Sequence, residues 1–297
     1  MLGFLNLNKP PDWTSHDCVA KVRRLLKIRK VGHAGTLDPL ATGVLPIAIG
    51  KATRLIAYLP SHKAYRAKIR FGIQTTTDDL AGEVLQQISA SHLTLAQVQA
   101  YFPQFLGKIL QIPPMYSAIQ RDGKRLYELA RQGKVVDVPS RQVEIFKLEV
   151  LGWEPGEFPE LDIEIHCGEG TYIRAIARDL GDLLGVGGTL AGLIRTKSGG
   201  MSLENSLTIE ELLQNIEDQT LSLISPQTAI ADLPAITLDP DTAKRWCQGQ
   251  KIFLTESVHD LQQRLRVEQE GGALLGIGEV AEREEGLRLI QKVVLTP

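Results

Sequence analysis

The order of its strand-like and helix-like segments constrains the fold of this chain more than any other feature. Apolar residues predict strands at residues 3–10, 43–50 and 63–72, and helical periodicity predicts helices among the segments that follow them. These segments lack the regular strand–helix–strand spacing of a doubly wound parallel sheet. The pattern therefore predicts an α+β fold with a mixed, largely antiparallel sheet flanked by helices.

Local signals place individual elements. Residues 140–153 and 161–170 are expected to pair as strands, residues 51–59 to form a helix, and residues 171–185 to form another. Helix N-termini are indicated by three signals, which are Ser15 as an N-cap and the capping boxes Thr94–Gln97 and Thr208–Glu211.

Chain length and composition suggest two domains. A chain of 297 residues exceeds what one core comfortably serves, so a large domain and a small one are expected. Polar residues and prolines predict a linker at 225–234, and the short strands after it suit a small β-barrel-like domain. We therefore expect domains at residues 1–231 and 232–297.

Charge is distributed unevenly. Residues 1–70 contain thirteen lysines and arginines against three aspartates, a formal charge of +10, so the remainder carries −12 to give the net −2. This asymmetry is typical of a local phosphate-binding face on an acidic body, and equally of a solvated helix face. In the strand at 63–72, the basic residues are expected to point one way.

Several classes of protein receive no support. The three cysteines are far apart and form no C-x-x-C pair, so neither a disulfide framework nor a cysteine-rich zinc site is indicated. The phosphate-loop motif is absent, and "GVGG" is too short for a dinucleotide fingerprint, so no cofactor is expected. With no membrane-length apolar run and no signal peptide, we expect a cytoplasmic protein without membrane contact.

"VGHAGTLDPLATGVLPIAIGKAT" places one carboxylate, Asp38, among small residues. An aspartate before proline commonly caps a turn, and that interpretation is favoured by Asp38–Pro39 alone. Gly32, Ala34 and Gly35, however, leave room for a ligand to approach closely. Both interpretations remain open on the residues themselves.

Three further side chains allow two interpretations each. His33 would contact RNA or satisfy a loop hydrogen bond. Tyr65 would lie at the edge of a basic surface, where an unstacked base can rest on it, or pack on the core as an ordinary strand tyrosine. Arg174 lies in the first turn of a helix, where the dipole disfavours cations, which indicates a carboxylate partner or a plain surface arginine.

"PPMYSAIQRDGKRLYELARQG", residues 113–133, joins prolines, tyrosines and basic residues. It suits an RNA-facing loop and helix, or simply a loop with an amphipathic helix. Composition does not decide between them.

Together these segments resemble the bacterial tRNA pseudouridine-55 synthase (TruB) family over nearly the whole chain. The resemblance rests on "LNKPPDWTSHDCV", the segment around Asp38, "KAYRAKIRFGIQTTTDDLAGEV", "PPMYSAIQRDGKRLYELAR" and "GTYIRAIARDLG" followed by "LIRTKSGG". The tail, especially "LLGIGEV", is more weakly similar to a PUA-type RNA-binding domain. The resemblance implies a catalytic domain at 1–231 and a PUA-like domain at 232–297.

The resemblance also implies a function and site roles. The protein would isomerise uridine in the T-loop of tRNA without cofactor or metal, acting as a monomer. Asp38 would be the catalytic aspartate. The implied supporting roles are uracil stacking and help with C5 deprotonation for Tyr65, pairing with Asp38 for Arg174, a pocket wall for Leu193, an RNA contact for His33, and support of the active-site loop for Lys9 and Pro10.

Three positions depart from the family pattern. Asp12 stands where glycine is usual, Gln120 replaces a common lysine, and Ile194 replaces the first of two arginines, which leaves Arg195 alone. Two competing functions also remain open, an RNA-binding folding chaperone with a structural Asp38 and an enzyme that hydrolyses the glycosidic bond.

Overall fold

A computed structural model describes residues 1–117, 138–254 and 260–295, together with the backbone of 120–121 and 124–125. The strands are β1 Gly3–Lys9, β2 Val31–His33, β3 Thr42–Ile49, β4 Lys63–Phe71, β5 Ile73–Thr75, β6 Val84–Gln87, β7 Gly107–Gln111, β8 Gln120–Arg121, β9 Lys124–Arg125, β10 Arg141–Glu154, β11 Glu160–Cys167, β12 Gly188–Ser198, β13 Met201–Ser202, β14 Ala235–Leu238, β15 Ile252–Phe253, β16 Arg264–Gln269, β17 Leu274–Arg283 and β18 Gly286–Val294.

Helices flank these strands. The α-helices in the described residues are α1 Ser15–Leu26, α2 Leu95–Gln99, α3 Ile173–Leu183, α4 Ile209–Glu217, α5 Pro226–Ala229 and α6 Pro240–Cys247. Three 3₁₀ segments, Gly50–Tyr58, Phe102–Phe105 and Leu203–Asn205, complete the set.

The large sheet is mixed and largely antiparallel, as predicted. Its main order is β1-β3-β12-β4-β11-β10-β7, with β2 added beside β3 and β13 beside β12. The pair β3–β12 is parallel, and the other strand pairs described in this sheet are antiparallel. Helix α3 packs its buried face, including Ile173, Ile176 and Leu180, on the central strands. The mixed α+β prediction is confirmed.

A second sheet of order β14-β16-β17-β18-β15 follows along the chain. It surrounds the fully buried Trp246 of α6, against which Leu265, Val280 and Leu289 cluster. Strand β16 was absent from the sequence predictions. Charged residues such as Arg264, Arg266 and Glu268 obscure the buried Leu265 and Val267 between them.

Some local predictions are confirmed and others are wrong. Strands β10 and β11 pair, and both predicted capping boxes form. The N-cap of α1 is Thr14 rather than Ser15, because Asp17 closes a capping box with Thr14. The helix predicted at 51–59 is a 3₁₀ segment, Gly50–Tyr58, rather than an α-helix.

The segment predicted as a linker, residues 225–234, contains a short helix and buried side chains. Residues 226–229 form α5, and Ala229 and Ile230 are buried in a cluster with Phe4 and Ile277. Two prolines and four polar residues interrupt the apolar ones in this segment, so the sequence shows no periodicity that would reveal the burial of Ala229 and Ile230. The segment is consequently part of the core.

Candidate active site

The loop carrying Asp38 is fixed by hydrogen bonds on both sides. The Leu37 N–H donates to Ser15 Oγ at 2.9 Å, so α1 holds the residue before Asp38. The Pro39 carbonyl, just after it, accepts from Lys9 Nζ at 3.0 Å and from the Asp12 N–H at 2.9 Å. Ser15, predicted as a cap, therefore fixes this loop instead.

Lys9 lies at the centre of this arrangement. Its side chain is fully buried, and its ammonium donates to the carbonyls of Pro10, Trp13 and Pro39. Burial lowers the pKa of Lys9, while the nearby Asp38 and other acidic groups oppose that effect. These contacts join Lys9 to the loop that carries Asp38.

Asp12 preserves the turn in which the family pattern has glycine. Its φ of 61° lies in the left-handed region, which aspartate adopts more readily than most residues. Its N–H donates to Pro39, so this departure leaves the loop anchored.

Arg174 and Asp38 form an ion pair. Arg174 Nε lies 3.0 Å from Asp38 Oδ2, while its remaining nitrogens donate to the carbonyls of Thr77 and Tyr116 at 3.0 and 2.9 Å. A second carboxylate oxygen, Oδ2 of Asp79, lies 3.7 Å from Arg174 Nη1. The Arg174 side chain is 6% exposed and that of Asp38 42%, so a ligand can reach the carboxylate while its counter-ion stays enclosed.

The surroundings of Asp38 act on its charge in opposite directions. Desolvation raises the pKa of the Asp38 carboxyl, and Asp79 raises it further. Arg174 and Lys9 lower that pKa by favouring the anion. The Asp38 carboxylate is thus more basic than that of an ordinary aspartate.

Tyr65 does not lie at the edge of a basic surface. It is 6% exposed and packs in the core cluster with Leu37 and Ala67. Along β4, Arg66, Lys68 and Arg70 occupy alternate positions that are exposed or half-buried. Lys63 has the same parity as Tyr65, so the expectation that all basic residues of this strand point one way is wrong.

The sequence predictions missed the importance of Arg195. This fully buried side chain donates to the Tyr65 hydroxyl and to the carbonyls of Val44, Gly35 and Thr36. It thereby joins β12 and β4 to the loop that leads to Asp38. The sequence did carry a signal for Arg195, because it is the one arginine left where the family pattern has two. Ile194, which replaces the other arginine, is 39% exposed.

His33 and Leu193 lie near these groups. His33 Nδ1 is buried and has no hydrogen-bond partner in the described part of the chain, and its ring meets that of His16 edge-on at 5.4 Å. Burial lowers the pKa of His33, which favours the neutral ring. Leu193 is partly buried against the cluster that contains Tyr65.

The remaining predictions have limited structural counterparts. Most of residues 113–133, including the Gln120 side chain, lies outside the described residues. Across the described ranges, no cluster of three or more histidine, cysteine or acidic side chains could hold a metal ion. None of the helices described is both long and apolar enough to span a membrane.

Three family profiles match successive parts of the chain. "TruB family pseudouridylate synthase (N terminal domain)" matches residues 23–173, and "tRNA pseudouridylate synthase B C-terminal domain" matches residues 174–229. "Pseudouridine synthase II TruB, C-terminal" matches residues 234–288.

Solved structures share the fold. A chain of "Structure of H/ACA RNP bound to a substrate RNA containing 2'-deoxyuridine" is 22% identical with a TM-score of 0.75, covering 99% of this chain and 85% of that one. A chain of "Crystal Structure of a Cbf5-Nop10-Gar1 Complex" is 24% identical with the same TM-score and coverage.

Curated relatives are much closer in sequence. A protein named tRNA pseudouridine synthase B from Gloeothece citriformis (strain PCC 7424) is 59% identical, covering 100% of this chain and 98% of that protein. A protein of the same name from Nostoc sp. (strain PCC 7120 / SAG 25.82 / UTEX 2576) is 54% identical, covering 100% and 99%. With the family profiles, these identities confirm the resemblance, and the chain belongs to the TruB family of pseudouridylate synthases.

Proposed function

We propose that this protein isomerises uridine to pseudouridine at position 55 in the T-loop of tRNA, with Asp38 as its essential carboxylate. The observation that carries the proposal is the open Asp38 carboxylate paired with the enclosed Arg174 at 3.0 Å. The name tRNA pseudouridine synthase B, borne by relatives at 59% and 54% identity, supports the reaction class.

The reaction breaks the bond between ribose C1′ and uracil N1, rotates the detached base, and forms a bond between C1′ and C5. The C5 proton leaves, N1 gains a proton, and the atoms and electrons of the nucleotide balance without a redox partner. Breaking the first bond builds positive charge on the sugar, which a neighbouring carboxylate stabilises, as in glycoside hydrolysis. Asp38 would bond to C1′, or else remove the C2′ proton to give a glycal, and both routes remain open.

The neighbouring residues would prepare Asp38 for either route. Arg174 opposes desolvation and keeps the carboxylate ionised. Tyr65 would stack on the uracil and assist removal of the C5 proton, with Arg195 holding its hydroxyl. Because Tyr65 is only 6% exposed, stacking on its face requires a covering side chain to move when the base enters. Leu193 would line the pocket.

Substrate binding would use the basic residues of the first seventy positions, with His33 contacting the RNA loop. They would contact the T-arm backbone and recognise its shape. Extruding the uridine costs a few kcal/mol, and stacking on Tyr65 would offset roughly 1 to 3 kcal/mol of that cost. Residues 232–297 would add a PUA-like RNA-binding domain. The protein would act as a monomer in the cytoplasm, where tRNA is found.

The proposal is tested by tritium release from unmodified tRNA labelled at uracil C5. The wild-type protein should release tritium, and Asp38→Asn should abolish release while tRNA affinity stays within about twofold. Asp162→Asn, the same substitution at a half-exposed strand residue that pairs with Lys68, should keep full activity. Full activity of Asp38→Asn would remove the carboxylate from the mechanism.

The same experiment separates the competing functions. A folding chaperone predicts no tritium release from wild-type protein and unchanged function in Asp38→Asn. An enzyme that hydrolyses the glycosidic bond predicts loss of uracil, which lowers the tRNA mass, whereas isomerisation leaves the mass unchanged. Mass spectrometry of the reacted tRNA therefore completes the test.

A further inference from the structure

Helix α3 carries a second arginine, one turn after Arg174, that meets a second aspartate. Arg178 Nη1 lies 3.0 Å from Asp78 Oδ2, next to the contact between Arg174 and Asp79. Asp78 adopts a φ of 61°, so two consecutive carboxylates can both face the helix. Two arginines one turn apart thus meet two adjacent aspartates.

Both arginines also bind the segment that follows β7. Arg174 Nη2 donates to the Tyr116 carbonyl, and Arg178 Nη2 donates to the Ile112 carbonyl, each at 2.9 Å. The helix is therefore attached to this segment at two levels. Arg174 also reaches Asp38, whereas Arg178 has no described contact with Asp38 and pairs instead with Asp179, its neighbour on the helix, at 2.8 Å.

Backbone hydrogen bonds hold the turn with the two aspartates independently of Arg178. The Leu190 N–H donates to the Asp78 carbonyl at 3.0 Å, and the Leu80 N–H donates to the Leu190 carbonyl at 3.2 Å. Strand β12 thus fixes the position of the turn. The distinctive contribution of Arg178 is its charge, not attachment of the turn.

That charge faces a carboxylate that also attracts Arg174. The Asp78 side chain is 16% exposed, and its negative charge interacts with both Arg178 and Arg174. Burial raises the pKa of Asp78, and Arg178 opposes this effect more strongly than Arg174 does. Without Arg178, the Asp78 anion would depend on Arg174 for its compensation. Asp78 would then compete with Asp38 for the same guanidinium.

We propose that Arg178 is a positioning residue, which neutralises Asp78 and thereby keeps Arg174 paired with Asp38. The inference rests on the proposed function, because its consequence is measured in the isomerisation reaction. Arg178 does not touch the reacting nucleotide in this account; it acts through Arg174.

The decisive comparison is between a single and a double variant of the full chain. In Arg178→Met, kcat should fall about 10- to 100-fold, the range expected when a catalytic group is displaced, while tRNA affinity stays within about twofold. In Arg178→Met/Asp78→Asn, the charge of Asp78 is gone, and the remaining carboxylate partner of Arg178, Asp179, is 36% exposed and has no described contact with Arg174. The value of kcat should therefore recover to within about threefold of wild type. A kcat in the double variant that is lower still than that of Arg178→Met would overturn the proposal.

The pH profile supplies a readout that a purely structural role would not move. Asp38 is faced by Arg174 of α3, by Asp79 of the turn and by Lys9 of β1. When Arg174 is drawn towards Asp78, the Asp38 anion loses stabilisation, so the acid limb of kcat should move to higher pH in Arg178→Met. In the double variant, the acid limb should return to its wild-type position. An unmoved limb in Arg178→Met contradicts the proposal.

Gln74→Ala is the matched control. Gln74 Nε2 donates to Asp182 Oδ1 at 2.7 Å, which joins β5 to α3 one turn further along without neutralising a charge. Its kcat and acid limb should match wild type, and a loss equal to that of Arg178→Met would assign the effect to attachment of the helix. Tritium release by wild type in the same series separates the two proposals. Its absence rejects the function, whereas its presence without recovery in the double variant rejects only the role of Arg178.

Discussion

The site combines one exposed anion, Asp38, with two enclosed cations. Lys9 supports the loop, and Arg174 is the counter-ion of Asp38. Lys9 is fully buried and uses its ammonium on three carbonyls. Arg174 is almost as enclosed and bonds the Thr77 and Tyr116 carbonyls in addition to Asp38. Because the Lys9 ammonium and each nitrogen of the Arg174 guanidinium already have a protein acceptor, the open Asp38 carboxylate is the member of the set left available to a ligand.

The raised pKa of Asp38 predicts an activity loss at mildly acidic pH. The active form is ionised, so kcat falls as pH drops through this pKa, which lies above the ordinary aspartate value because of desolvation and Asp79. Asp79→Asn removes a negative charge and should move the acid limb to lower pH. Single-turnover rates across the acid range measure both effects, and a limb moving to higher pH in Asp79→Asn would contradict the assignment.

Tyr65→Phe separates ring stacking from the hydroxyl. The phenylalanine ring keeps the stacking surface, while the acceptor held by Arg195 is lost. If the hydroxyl assists removal of the C5 proton, kcat should fall by about 100-fold or more with tRNA affinity unchanged. The test measures kcat from quenched time points on labelled tRNA and affinity by filter binding. Unchanged turnover would exclude proton transfer by Tyr65.

Individual residues were predictable from the sequence to different degrees. The helix dipole indicated a carboxylate partner for Arg174, and the structure provides Asp38 at 3.0 Å. Arg195 was not singled out, since all four of its acceptors lie far from it in the sequence. The pairing of Arg178 with Asp78, 100 residues apart, depends equally on tertiary packing.

At the scale of elements, the parallel contact between β3 and β12 brings the Asp38 loop to the central sheet. Gly43 opposes Arg195 there, with a φ of 100°. A Cβ at Gly43 would lie 2.3 Å from the Arg195 carbonyl oxygen, so only glycine permits this approach.

Gly43→Ala should therefore destabilise the fold by about 3 kcal/mol, combining left-handed strain with overpacking. Gly170→Ala is the control, because its φ of 78° is also positive but its Cβ would meet no atom within 4 Å. That variant should lose only about 1 kcal/mol. Urea unfolding gives both values. Equal losses would show that the close approach to β12 adds no energetic cost.

Sequence periodicity predicted those elements whose signals are local. The capping boxes of α2 and α4 and the pairing of β10 with β11 depend on near neighbours or plain alternation. The sequence did not indicate β16, because its charged and polar residues outnumber the apolar ones, or α5, which has four residues and a single buried side chain. Their burial comes from partners elsewhere in the fold.

At the scale of the whole molecule, one apolar cluster contains residues from both ends of the described chain. Phe4, Val44 and Ile230 share it with Ile277 and Val293. Arg54 Nη1 adds a hydrogen bond of 2.7 Å to the Val294 carbonyl. Removing the C-terminal residues would therefore uncover part of the core in addition to any effect on RNA affinity.

Ile277→Ala should destabilise the molecule as one unit. Ile277 is fully buried in the shared cluster, so the free energy of unfolding should fall by about 2 to 5 kcal/mol in a single transition. Leu261→Ala, at a side chain that is 51% exposed, should change it by less than about 0.5 kcal/mol. Calorimetry that resolved two transitions, with only one displaced, would contradict a common core.

The sharing of this cluster has a consequence for biosynthesis. Phe4 of β1 leaves the ribosome long before Val293 and Leu295, which help to cover the same cluster. The apolar face of β1 therefore stays partly uncovered until β17 and β18 have been synthesised. A nascent chain that stalls before β18 exposes this face to chaperones and proteases. Quality control can thus distinguish chains that stop before β18 from chains that contain it, because only the former leave the apolar face of β1 uncovered.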